Sequence, residues 1–185
     1  MVKRILVAGT LGGLVLMVWS AFVNIVFGFA ARTQMTPVPN ERAVYDLLAS
    51  QHMAPGAYLA NAALVNGRFP DGAPVFGIHY SGFGHEAAGV MMLMDLVLWI
   101  AGGMLAAWLL ANASPHVLAR YFARVGYVAA FGVLTVVLAI LPQHGIGGLP
   151  AQLVLLIAAN YLAGWFASAL VIARLLYVPA PAPAK

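Results

Sequence analysis

The chain has 185 residues, 63% of them hydrophobic and 8% charged, with a net charge of +4 and a mean hydropathy of +0.93. Soluble domains carry about 25% charged residues, so this composition excludes a water-facing globule and nucleic-acid binding. Cysteine is absent, which excludes disulfide staples, thiol nucleophiles and cysteine-ligated clusters.

Lys3 and Arg4 precede an apolar run from Ile5 to Ala31, longer than the roughly 20 residues a helix needs to span a bilayer. Gly28-Phe29-Ala30 has the form of a small-x-small cleavage site. The apolar region of a signal peptide is only about 7–15 residues, so an uncleaved first span is expected. Residues 32–86 hold most of the polar side chains and read as a small cap. Asn40 is placed to cap a helix over Glu41 to Leu48, with Ala43, Val44, Leu47 and Leu48 as its apolar stripe. Pro55-Gly56 should stop it. Ala57 to Val65 and Val75 to Tyr80 then read as the strands of a hairpin, joined through an Asn66-Gly67 turn and a loop of Pro70, Asp71, Gly72 and Pro74. A cap this small cannot bury a core and must rest on other helices or on a partner.

Three further spans are expected at Ala87 to Ala111, Val125 to Leu141 and Ala151 to Ala173. The fold class is therefore an all-α membrane bundle of four helices, one domain over 1–185, ending in a disordered Pro/Ala tail at 178–185. Lys3, Arg4, Arg120, Arg124, Arg174 and Lys185 fall on one side of it. Arg32, Arg42 and Arg68 fall on the other, offset by Glu41, Asp46, Asp71 and Glu86. The positive-inside rule then puts both termini in the cytoplasm of an inner (plasma) membrane and residues 32–86 outside it.

Helices in lipid pack through small residues. Gly9, Gly13, Ser20 and Asn24 share a face of the first span; Asp95, Trp99, Gly102 and Ala106 share one of the second. Gly132, Thr135 and Ala139 do so in the third, and Asn160, Ala163, Gly164 and Ala167 in the fourth. At about 1.5 Å per residue, Asn24, Asp95 and Asn160 each lie roughly 9–14 Å inside the outer boundary. They form a candidate polar cluster, with a protonated Asp95 hydrogen-bonded to Asn24 or Asn160. Intramembrane acids also mark proton and ion paths, which makes Asp95 a candidate titrating site.

His79, His85, Glu86 and His144 fall near the outer boundary and are candidate ligands for a transition metal or haem. Their spacing matches no metal motif. Ser81 with His79, His85 and Asp95 supplies the ingredients of a hydrolytic triad, but GxSxG is absent and no enzyme motif is found.

PNERAVYDLL, followed by PGAY and later by LPxxGxGGLP and GWFASALVIARLL, resembles uncharacterised bacterial four-span inner-membrane proteins with an outer helix-plus-strand insert. That resemblance implies an architecture and no activity. The expected function is an accessory or assembly subunit in the lipid bilayer that docks a protein partner or a second copy of itself. The alternatives are an outer-face metal or haem protein using His85 and His144, and a proton-coupled carrier of a small solute using Asp95.

Overall fold

The computed structural model describes residues 1–33, 37–60, 72, 74, 76–145 and 148–177. Its chain order is α1 (Val2–Phe27), α2 (Phe29–Thr33), α3 (Glu41–Ser50), β1 (Gly56–Ala60), β2 (Phe76–Tyr80), α4 (Ala88–Ala111), α5 (Pro115–Ala119), α6 (Tyr121–Thr135), α7 (Pro142–Gly145) and α8 (Ala151–Leu175). Four stretches are long and apolar enough to cross a membrane: Val2–Phe27, Ala88–Ala111, Tyr121–Gly145 and Ala151–Leu175.

The first expected span stops short of Ala31 for a local reason. Gly28 adopts a left-handed conformation with φ 58°, which ends α1 and starts the five-residue α2 in a new direction. The third span starts earlier than Val125, because Arg120 is extended and α6 begins directly after it. Its far end does not stop at Leu141. Val136–Ile140 widens into a π turn, in which the Leu141 N–H donates to the Val136 carbonyl at 2.8 Å, and α7 follows from Pro142. Proline has no N–H to give and its ring crowds the carbonyl four residues back, so a wider turn just ahead of Pro142 relieves the conflict.

The chain divides into two units, Met1–Met35 with Val90–Lys185, and Thr36–Gly89. In the first, the starts of α1 and α6 meet the end of α8. The Arg4 guanidinium donates to the Tyr177 carbonyl at 3.2 Å, and Tyr121 Oη donates to the Leu170 carbonyl at 3.1 Å. Ala8, Ala106, Ala107, Leu110, Val125, Val128, Ala169 and Ile172 form the core there, which brings the end of α4 to the same place. The four long helices therefore run up, down, up, down. A second apolar cluster, Val136, Ile140, Val154, Ile157 and Ala158, holds the opposite end.

The helices approach through glycine. A Cβ at Gly9 would collide with the Met104 backbone, and one at Gly13 would stand 2.5 Å from Ile100 Cα. The Gly103 that meets them is one residue along from the expected Gly102, a drift that an ideal helical periodicity cannot resolve. Gly12 faces α8, where Ser168 Oγ donates to the Gly12 carbonyl at 3.0 Å. By contrast, Gly126 has nothing within 4 Å of a Cβ, so Gly126→Ala in α6 should raise stability by about 0.5–1 kcal/mol, read as a higher thermal midpoint.

In the second unit α3 runs two residues past Leu48 and ends before Pro55. Asn40 does not cap it as expected. It takes a left-handed conformation (φ 55°), its side chain makes no cap bond, and its carbonyl accepts from Ala43 and Val44 instead. The strands pair antiparallel, Gly56 opposite Tyr80 and Ala60 opposite Phe76, shorter than expected on the described residues. The Asn66-Gly67 turn, Pro70, Asp71, Arg68, Val75 and the 178–185 tail lie outside the described residues. No described side chain of this unit is buried, including Ala43, Val44 and Leu47. Its Arg42–Asp46 pair is exposed at 3.0 Å, one helical turn apart, so Asp46→Asn should change stability by less than about 0.5 kcal/mol in thermal melts.

Candidate functional site

A cavity of about 410 Å³ lies between the end of α1, the start of α4, the end of α6 and the first half of α8. The three residues expected to share one depth, Asn24, Asp95 and Asn160, all line it. The expected hydrogen bonds between them are not made; the side-chain oxygens of both asparagines accept from other groups.

Asn24 works on its own helix end. Its Oδ1 accepts the Ala30 N–H at 2.9 Å across the Gly28 break, and its Nδ2 donates to Ser20 Oγ at 3.4 Å. The amide is thus a brace that fixes α2 to α1 and sets Phe29 and Ala30 on the cavity wall. Asn160 ties α8 to α1: Trp19 Nε1 donates to its Oδ1 at 2.8 Å and to its main-chain oxygen at 3.2 Å. The Trp19 ring then needs space, and Gly164 one turn later gives it; a Cβ there would stand 2.9 Å from Trp19 Cδ1. The same device repeats between α8 and α6, where Gly132 makes room for Trp165; a Cβ there would lie 2.6 Å from Trp165 Cβ. Two indoles are therefore seated in glycine hollows on the cavity wall, and Trp99 of α4 supplies a third.

Asp95 differs from all of these. It is exposed, and among the described residues it has no hydrogen bond and no ion pair. Among the described residues, no lysine or arginine lines the cavity. Thr135, also on the wall, donates to the Phe131 carbonyl at 2.8 Å as the last residue before the π turn. Helices interrupted in this way often border functional sites.

Trp19 was not legible as a site residue. Its signal was an indole N–H inside an apolar run, which needs an acceptor somewhere in the bundle. Arg124 was expected in a loop and is instead 4% exposed within α6. Its Nε donates to the Ala173 carbonyl at 3.0 Å and its Nη1 to the Leu118 carbonyl. The rings of Tyr121 and Tyr177 lie 5.9 and 5.6 Å away. It serves as a clasp between α6 and the end of α8, remote from Asp95 along the helices.

The candidate metal ligands have other employment or stand in different units. His144, in the first unit, places Nδ1 2.9 Å from the Leu149 carbonyl. In the second, the Glu86 carboxylate accepts the Gly84 N–H at 3.1 Å, and His79 is exposed on β2 opposite Ala57. His85 starts the short turn His85–Ala87, and its side chain is outside the description. Among the described residues, no group of three or more His, Asp and Glu is placed to hold a metal. Ser81 Oγ accepts the Phe83 N–H at 3.2 Å and forms part of a turn.

No family model, curated protein or solved structure matches the chain. What the fold and cavity define is a class: among the described residues, an up-and-down bundle of four helices, each long and apolar enough to cross a membrane, with a cavity between them whose wall includes one unpaired acid.

Proposed function

We propose that this is a multi-pass protein of a bacterial inner (plasma) membrane and that its bundle carries a small solute, coupled to protons through Asp95. The observation that carries the reading is the cavity itself. Small-molecule sites are concave, about 300–1,000 Å³, mostly apolar, with a few convergent polar groups. This one gathers Asn24, Asp95 and Asn160 from three helices within about 410 Å³. Asp95 is the member that no neighbour occupies, as expected of a group that exchanges partners. Orientation follows from charge. Lys3, Arg4, Arg120, Arg124 and Arg174 belong to the end where α1 and α6 start and α4 and α8 finish, which the positive-inside rule makes cytoplasmic. The cavity then lies in the outer half of the bundle.

The absence of cysteine makes the test direct, since any introduced thiol is the only one. Ser50→Cys and Ser20→Cys should react with a small membrane-impermeant thiol reagent applied to intact cells, and Ser114→Cys only after permeabilisation. Labelling of Ser114→Cys from outside would invert the orientation. A Ser20→Cys thiol as inert as one at Ser168, which is fully buried, would remove the accessible cavity and with it the carrier reading.

A second reading, an accessory subunit that docks a partner through residues 36–89, draws on the exposed apolar stripe of α3. Under it, Val44→Glu with Leu47→Glu strips a co-purifying protein from the complex and leaves the melting of the chain unchanged. Co-purification unaffected by the pair would discard it.

A further inference from the structure

The chemistry of the cavity wall narrows what it can hold. Among the described residues, Asp95 is the only charged side chain on it. From α1, α2, α6 and α8 no charged group faces it, and Tyr161 is the one other titratable side chain among the lining residues. Arg32, on α2, is exposed and is not part of the wall. Trp19, Trp99 and Trp165 come from three different helices and bring indole rings to the same space. An indole face carries negative potential and attracts cations, most strongly where water is excluded. An unpaired carboxylate beside such faces repels anions and leaves a neutral guest with no way to satisfy its charge.

Resting on the reading of this cavity as a binding site, we propose that its ligand class is the lipophilic organic cation: an ammonium or phosphonium carrying apolar groups. Asp95 is the counter-ion and the indoles of Trp19, Trp99 and Trp165 are the walls. The carboxylate accepts one positive partner at a time. Trp19 is held for this role by Asn160, and Gly164 and Gly132 make the room in which Trp19 and Trp165 sit.

The experiment titrates the detergent-purified full chain with tetraphenylphosphonium and, separately, with tetraphenylborate, an anion of nearly the same shape, following tryptophan fluorescence. Saturable quenching by the phosphonium alone is expected. Asp95→Asn should weaken it about 10- to 100-fold, the range for losing a bond to a charged group. Equal binding of both ions, or phosphonium binding indifferent to Asp95→Asn, overturns the cation class. So does failure of either ion to bind when Ser20→Cys still labels, in which case the cavity reading survives for another solute. If neither ion binds and Ser20→Cys is inert, both fall together.

Discussion

Gly13→Leu is expected to unmake the bundle. The Cβ alone would stand 2.5 Å from Ile100 Cα, 2.7 Å from Ile100 N and 2.7 Å from the Trp99 carbonyl oxygen, all of them backbone atoms. Backbone cannot rotate away as a side chain can. The helices must separate, and every contact along the α1–α4 seam is lost with them, including the approach of Gly9 to Met104 and of Gly103 to Gly9. Overpacking a well-filled interior costs about 1–3 kcal/mol, and here the loss of van der Waals contact that binds helices in lipid adds to it. We expect a loss of at least about 3 kcal/mol, seen as an aggregated or protease-sensitive product in detergent. Gly126→Ala, in open space, is the paired control with the opposite sign. The seam also has a consequence for the site. It holds Ile100 and Trp99 in place, one turn from Asp95, and Gly13→Ala, which adds the same Cβ, should force the same separation and displace Asp95 with it.

The second large effect is expected at Arg124. Its guanidinium donates to two carbonyls, Ala173 at the end of α8 and Leu118 in α5, and lies between the rings of Tyr121 and Tyr177. No carboxylate pairs with it among the described residues. The negative end of the α8 dipole supplies the balancing charge. Arg124→Ala leaves buried acceptors unmet, at about 1–3 kcal/mol each, and empties the space between the rings. We expect about 3 kcal/mol or more, measured as a drop in the thermal midpoint. Arg124→Lys should recover only part, because one ammonium cannot reproduce the fork that reaches both carbonyls. If lysine restores full stability, Arg124 acts only as a positive charge at the membrane edge.

The same two places show where sequence stops informing. Four spans follow from hydropathy and length alone, and the largest departures of their ends from expectation fall where Gly28, Arg120 and Pro142 intervene. The common depth of Asn24, Asp95 and Asn160 followed from rise per residue, because an α-helix is a ruler. What they bond to did not follow, since it depends on rotation about each helix axis. Nothing in the residue order indicates that Trp19 would take the Asn160 oxygen and leave Asp95 alone. Arg124 was hidden by the topology rule itself, which counts basic residues near a span as loop and has no way to bury one. Gly102 and Gly103 are adjacent, and only packing decides that Gly103 meets α1 while Gly102 faces the cavity.

One comparison decides whether Asp95 belongs to a site or to the scaffold. Asp95→Asn and Asp95→Leu should melt within about 1 kcal/mol of the parent chain, since no partner in the fold depends on the carboxylate and the change is comparable to a surface substitution. Asn160→Ala, which breaks the bond from Trp19, should cost more than either. Stable Asp95 variants beside a destabilised Asn160 variant would place the acid in a site kept for a ligand. Collapse of Asp95→Leu and Asp95→Asn to the level of Asn160→Ala or below would make Asp95 a structural residue and contradict the account.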